Sequence, residues 1–305
     1  MKRRILVLMG GISREREVSL VSGAAAAEAL RSAGHDVRTH DLSRDVGALV
    51  REVEAHRPDV VFNSLHGRFG EDGCVQGLLE LMGIPYTHSG VRASAIAMDK
   101  PATKRAVEQA GIRTPRGRVV RRDDFALGDP LPRPFIVKPV AEGSTIGVRV
   151  VAEGDNRDWS EDWSFGDEAL VEEYIPGREL TVGIMGERAL AVTEIRFEGA
   201  AFDYTAKYTS GHASHLLPAP VPPEVYDAAM DAALVAHRAL GCDGISRSDF
   251  RYDDRRPGAE GLFFLELNTQ PGFTPLSLVP EQASHLGIGF APLCEWLVGR
   301  ARCHA

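Results

Sequence analysis

Arg247-Ser248-Asp249 and Phe263-Phe264-Leu265-Glu266-Leu267-Asn268 lie in two short strand-like stretches, separated by the turn-rich Asp253-Asp254-Arg255-Arg256-Pro257-Gly258. Side chains on a strand alternate faces, so Arg247 and Asp249 share one face, as do Glu266 and Asn268. If the strands pair, two carboxylates, a carboxamide and a guanidinium crowd together. Mg²⁺ takes oxygen ligands of this kind, one or two carboxylates completed by phosphate oxygens and water. The arginine would then meet developing negative charge. Taken alone, the same pattern also describes a solvated hairpin with alternating polar residues. Downstream, Thr269-Gln270-Pro271-Gly272-Phe273-Thr274-Pro275 sets Gly272 between two prolines. Such a turn has unusual backbone freedom and can aim N–H groups at an anion, or simply be a surface turn.

Other chemistry-bearing residues lie far upstream. Lys138 ends the apolar run Pro134–Val137 and precedes Glu142-Gly143-Ser144-Thr145-Ile146-Gly147. A lysine before a glycine- and hydroxyl-containing loop suits phosphate, with loop N–H groups as a nest. The order is not that of a P-loop. Gly10-Gly11-Ile12-Ser13-Arg14-Glu15 sits where a strand turns into a helix, with Ser13 as candidate N-cap. A dinucleotide Gly-x-Gly-x-x-Gly is absent there. His66, in Ser64-Leu65-His66-Gly67, could serve as a base by type, although a loop histidine is more often a hydrogen-bonding spacer.

The elements that must carry these groups follow from periodicity. Ile5–Met9 is a continuous apolar run suited to a buried parallel strand. A helix over Val18–Leu30, strands at Val37–His40 and Val60–Asn63, and a helix over Cys74–Met82 continue a βαβ rhythm, implying an open parallel sheet. A second unit starts near Met98-Asp99-Lys100, with a helix to Ala110 and a strand at Phe135–Val137; Asp155–Asp167 reads as a surface loop. Strands at Leu180–Met185 and Leu190–Ile195 lead into the unit with the Arg/Asp/Glu/Asn cluster. Thr209–His215, small and polar, reads as a flexible lid. The expected division is 1–97, 98–179 and 180–305.

A chain of 305 residues has room for two or three domains. Its 43 acidic against 35 basic residues give a net charge of −8, which argues against nucleic acid as main partner. The four scattered cysteines fit reduced thiols in the cytoplasm better than a disulfide frame or zinc site. No stretch approaches the roughly 20 apolar residues of a membrane span, so no membrane association is expected.

The run Arg-x-Asp, Glu-x-Asn-Thr-x-Pro-Gly-x-Thr and Ser-Leu-x-Pro resembles the C-terminal signature of the D-alanine–D-alanine ligases, members of the ATP-grasp superfamily, and the match stays in register from Gly10 to Pro280. The resemblance implies a mixed α/β (α+β) ATP-grasp fold, with an N-terminal open parallel sheet and central and C-terminal domains clamping ATP. It implies an ADP-forming ligase. ATP phosphorylates one D-alanine, the amine of a second attacks the acyl phosphate, and the dipeptide enters peptidoglycan synthesis. By the same resemblance, Glu15 holds the amino group of the first D-alanine and His66 orients it, while Ser277 and the Leu278 backbone hold the second carboxylate. Arg247 and the Gly272 N–H meet the oxyanion. ATP falls to Lys100, Lys138, Ser144, Lys207 and Asn268. Glu172, Glu173, Tyr174 and Ile175 surround adenine, and Glu179 meets ribose. Relatives often carry lysine and tryptophan where this chain has Glu173 and Tyr174. Asp249, Glu266 and Asn268 hold two Mg²⁺, for which Mn²⁺ can stand in. Lys207-Tyr208 matches the family's omega loop, with Tyr208 bonded to Ser144 and through it to Glu15; this pair favours an amine acceptor. The partners implied are D-alanine, ATP and a second copy in a homodimer. A D-lactate or D-serine ligase, a nucleotide-binding scaffold without turnover and a nicotinamide oxidoreductase are the competing readings. D-alanine-dependent phosphate release separates them.

Overall fold

The computed structural model describes residues 2–125, 127–141, 147–155, 163–197 and 213–304. Three parallel strands, β1 (Arg4–Gly10), β2 (Asp36–Leu42) and β3 (Val60–Asn63), form a sheet in the order β2-β1-β3. The period-2 alternation of β1 divides its apolar run between two cores. Ile5 and Val7 pack with Ala26, Ala27 and Leu30 of helix α1 (Arg16–Ser32). Leu6 and Leu8 pack with Leu49 of α2 (Val46–His56) and Leu79 of α3 (Cys74–Met82). All four β1 residues are fully buried, as expected for a strand covered on both faces.

Helices α4 (Val91–Met98) and α5 (Lys100–Gln109) follow. Asp99 caps α5 by accepting from the Ala102 N–H at 2.8 Å. Both helices lie against the C-terminal sheet, where Val107, Ile96 and Ala97 join its core. The central sheet has the order β4-β7-β5-β6, from β4 (Gly117–Arg121), β5 (Phe135–Pro139), β6 (Arg149–Val151) and β7 (Glu168–Glu173); the one-turn α6 (Arg122–Phe125) follows β4. Phe135, Val137 and Val171 point into its small core, which leaves Ile136, Lys138 and Glu172 on the opposite, cleft-lining face. The expected surface loop at 155–167 is only partly one. Residues 156–162 lie outside the described region, but Phe165 is buried and Trp163 packs beside it at 5.2 Å between ring centroids. The two aromatics complete a core too small to close by itself.

The third sheet is antiparallel in the order β10-β9-β8-β11-β12, from β8 (Arg178–Met185), β9 (Arg188–Phe197), β10 (Ala213–Leu216), β11 (Ile245–Tyr252) and β12 (Leu262–Asn268). Part of the expected lid is therefore strand: Ala213–Leu216 pairs with β9 at the sheet edge. Helix α7 (Pro223–Leu240) covers one face through Val225, Ala229, Ala233, Ala236 and Leu240, a helical stripe packed on Val182, Phe250 and Phe264. Helices α8 (Leu278–His285) and α9 (Phe290–Arg300) complete the chain. Leu293, Leu297 and Val298 of α9 share the core of Ile5 and Val7, so the two ends of the chain are packed as one body.

Candidate active site

The β11–β12 register sets Arg247 opposite Asn268 and Asp249 opposite Glu266, all on the face away from α7. A β-bulge makes this possible. Phe250 pairs with Phe264, so Leu265 is the extra residue. Without it Glu266 would share the face of Phe264, against the helix; the bulge inverts the phase. Arg247 donates to Asp249 through Nε (2.9 Å) and Nη2 (2.7 Å), and Thr181 Oγ1 donates to the same carboxylate at 2.6 Å. Lys100 is buried and reaches Glu266 at 3.3 Å. A surface role for Lys100 is thereby excluded.

On the facing sheet Glu172 is buried between two lysines. Lys138 Nζ lies 2.5 Å from one oxygen, and Lys104 donates to the other and to the Pro115 carbonyl. Burial works to raise the Glu172 carboxyl, but the charges of Lys138 and Lys104 outweigh it and hold the group below its ordinary range. Two cations on one carboxylate leave a local positive excess, an arrangement that favours an anion. Lys104 was not expected; its spacing of four from Lys100 on one helix was the available signal.

Glu172 and Lys138 line a cavity with Glu173, Tyr174, Ile175 and Glu179. The Glu173 carboxylate accepts from the Arg116 N–H at 2.9 Å, and the Ile175 carbonyl accepts from Arg251 Nε at 3.1 Å. Asp249 and Glu266 line the inner end. Glu266 also borders a small cavity with Glu71, Lys100 and Asn268, and Glu71 and Asn268 border a third with Glu15, His66, Arg247, Gly272, Ser277 and Leu278. The three cavities adjoin one another, sharing Glu266, Glu71 and Asn268 as lining residues.

At the turn from β1 into α1, Gly10 and Gly11 adopt positive φ, but Ser13 is not the helix cap. Glu15 holds that position, and Ser13 Oγ donates to the His66 carbonyl at 2.7 Å while accepting the Glu15 N–H at 3.1 Å. Gly67 also adopts positive φ, and a Cβ there would meet Glu15 Oε2 at 2.8 Å, so the Glu15 carboxylate rests over bare backbone. His66 is buried, and its pKa falls to about 4, first through burial and then through the nearby Arg247 charge, against a bond to Gln270. It is a neutral, hydrogen-bonding residue rather than a proton carrier near neutral pH. Glu71, in Gly70-Glu71-Asp72-Gly73, is a site residue that sequence reasoning missed; it is buried too, and desolvation and then the Glu15 charge push its carboxyl well above the ordinary range. An acid enclosed by glycines was the signal. Gly272 is not in the left-handed region, and a Cβ there would meet only Ser277 Oγ at 3.5 Å. Its service is an open face over the N–H rather than unusual backbone freedom. Ser277 is the N-cap residue of α8, with the Leu278 N–H at the helix start. Ser144, Lys207 and Tyr208 lie outside the described residues.

Known proteins share this architecture. Residues 107–299 match the family model for the D-ala D-ala ligase C-terminus, and residues 45–89 match that for the N-terminus. The chain belongs to the D-alanine–D-alanine ligase family. It is 56% identical over 303 residues to a D-alanine–D-alanine ligase of Acidiphilium cryptum and 54% identical over 305 residues to one of Granulibacter bethesdensis, covering 99% of each pair. Among solved structures it resembles the Bacillus anthracis D-alanine–D-alanine ligase complexed with ATP (TM-score 0.81, 31% identity, covering 98% of this chain and 96% of that one). It also resembles the VanG D-Ala:D-Ser ligase of Enterococcus faecalis (TM-score 0.80, 30% identity, covering 98% and 99%). The fold is therefore ATP-grasp, as expected.

Proposed function

We propose that the protein joins two D-alanines at the expense of ATP, through an acyl phosphate, to supply D-alanyl-D-alanine for peptidoglycan. The carrying observation is a run of adjoining cavities, with buried lysines at one end and Glu15, Arg247, Gly272 and Ser277 at the other. In this reading Glu15 receives the ammonium of the first D-alanine, beside His66. Lys100 and Lys138 meet the phosphates together with Asn268, Ser144 and Lys207. Glu172 and the backbone of Glu173–Ile175 take adenine, with the Ile175 N–H as the contact because its carbonyl is engaged, and Tyr174 flanks the ring. Glu179 takes ribose. When the amine of the second D-alanine attacks, negative charge grows on the carbonyl oxygen, where Arg247 and the Gly272 N–H stabilise it. Ser277 and the Leu278 N–H hold the second carboxylate at the start of α8. Tyr208, through Ser144, orients Glu15.

Asp249 and Glu266 stand opposite each other with Asn268 beside them, a donor set of oxygens that fits Mg²⁺ or Mn²⁺ when phosphate oxygens supply the rest. The bound ions would neutralise charge on the β- and γ-phosphates. Positioning and fixed charge do the remainder. Among the described residues no helix is long and apolar enough to cross a membrane; a cytoplasmic homodimer and the three-unit division 1–97, 98–179 and 180–305 belong to the same proposal.

Incubation with ATP, Mg²⁺ and D-alanine should release ADP and phosphate and yield a dipeptide of the expected mass. D-lactate and D-serine, offered as acceptors, should be poorer. Nucleotide binding without D-alanine-dependent turnover would reduce the protein to a scaffold and refute the reading.

A further inference from the structure

The Gly272 turn is fastened to the N-terminal sheet by a buried, uncharged network whose centre is Gln270. Gln270 Oε1 accepts from Asn63 Nδ2 at 2.7 Å and from Gln76 Nε2 at 3.2 Å, and Gln270 Nε2 donates to the Leu65 carbonyl at 2.7 Å. Asn63 and Gln76 each donate also to the Gly70 carbonyl. The three amides are at most 3% exposed. A second clamp runs through His66. The Gln270 carbonyl can only accept, so His66 Nδ1 carries the proton (3.0 Å). His66 Nε2 is then an acceptor for the Ser22 hydroxyl at 3.2 Å, and the Ser22 oxygen accepts the Phe273 N–H at 3.2 Å. The residues on either side of Pro271-Gly272 are thus both held. Pro271 has no N–H and that of Phe273 is taken, which leaves Gly272 as the turn's donor toward the cavity it lines.

We infer that Gln270 is a positioning residue for acyl transfer: its amide fixes the Gly272 N–H where the oxyanion forms. The inference rests on the function proposed above and deepens it. The Gln270 side-chain amide is engaged with Asn63, Gln76 and the Leu65 carbonyl. It acts through the turn, and a displacement near 1 Å at such a donor costs on the order of a hundredfold in rate.

Two steps of the reaction separate this role from a merely structural one. Scrambling of ¹⁸O from the β–γ bridge of ATP into the β-nonbridging positions reads reversible phosphoryl transfer to the first D-alanine. Dipeptide synthesis reads amine attack, when the oxyanion appears. In the full chain, Gln270→Met keeps the volume and loses every side-chain hydrogen bond; Gln270→Glu keeps the acceptor and loses the donor to Leu65. Dipeptide formation at saturating D-alanine should fall on the order of a hundredfold in Gln270→Met and less in Gln270→Glu, while isotope scrambling and the KM for ATP are retained. Ser22→Ala, which loosens the same turn through Phe273 and His66, should show a smaller split of the same kind and serves if Gln270→Met does not fold. Unchanged dipeptide synthesis, or equal loss of both steps in the variants that fold, overturns the inference while wild-type activity upholds the broader reading. A wild-type chain that makes no dipeptide removes both.

Discussion

At the lysine-rich end of the site, Glu172, Asp249 and Glu266 each lean on cations: Lys104 with Lys138, Arg247, and Lys100. At the end lined by Glu15 and Gly272, the turn before Gly272 is held by Asn63, Gln76, Gln270, His66 and Ser22, all uncharged. The contrast is one of exchangeability. An ion pair can trade its partner for a phosphate or a metal ion at modest net cost, because one charge replaces another. An amide held by two or three directional bonds in a dry interior has no such substitute, and breaking it leaves donors unsatisfied. In the function proposed above, the first end can be reorganised by its ligand while the second stays fixed.

If that contrast holds, the most damaging change is to leave the charged end unbalanced. Glu172→Gln would strand two buried ammonium groups, and loss of one member of such a cluster costs about 3–5 kcal/mol. Urea unfolding at neutral pH checks it. Added nucleoside triphosphate should restore part of the loss, since its phosphates supply the missing negative charge; a variant as stable as wild type would break the charged half of the comparison. Arg247→Ala comes next. Removal of one oxyanion donor lowers kcat roughly 100–1,000-fold. Asp249 keeps its bond from Thr181, so ADP release under saturating substrates should fall far more than the unfolding midpoint does. A smaller effect is expected at the uncharged end. Asn63→Ala withdraws donors from Gln270 and from the Gly70 carbonyl, at about 1–3 kcal/mol for polar groups left unsatisfied, and triphosphate should not repair it.

The two ends also differ in how far they could be read from the chain. The Arg247–Asn268 pattern was legible because strand alternation is local, and the run at Ile5–Met9 announced a buried strand for the same reason. The bulge at Leu265 was not, since nothing in an apolar strand marks which residue will be extra. Lys104 looked like an ordinary helical lysine until Glu172 arrived from another sheet. Gln270 bonds Asn63 across 207 residues of sequence, and an amide becomes a clamp only when folding supplies its partners. Helix α7, with its stripe of alanines, passed unrecognised because its small side chains carry a weak apolar signal. Ion pairs and amide clamps are products of tertiary packing, whereas alternation and turns belong to the chain itself.

The smallest effect separates the two ends by pH. His66 is held neutral by burial, with its pKa at about 4 against 6.5 for the free side chain. The unfolded chain therefore binds a proton that the folded chain refuses. The resulting stabilisation is complete above pH 6.5, declines as pH falls from 6.5 toward 4 and levels off below. By pH 5.5 one such histidine has lost about 1 kcal/mol of that stabilisation. His88 and His237, lowered to about 3 and about 4 by burial, and His304, also lowered by burial, act in the same sense, so the wild-type slope does not belong to His66 alone. His66→Gln isolates one of them. Its stability deficit relative to wild type should shrink by about 1 kcal/mol between pH 7.5 and pH 5.5 in urea titrations. Glu172, whose carboxyl is held low by Lys138 and Lys104 against its burial, stays charged across that window and contributes no slope. A deficit that does not change with pH would mean that His66 titrates alike in the folded and unfolded chains. The clamp on the Gly272 turn would then have to be assigned to the amides alone.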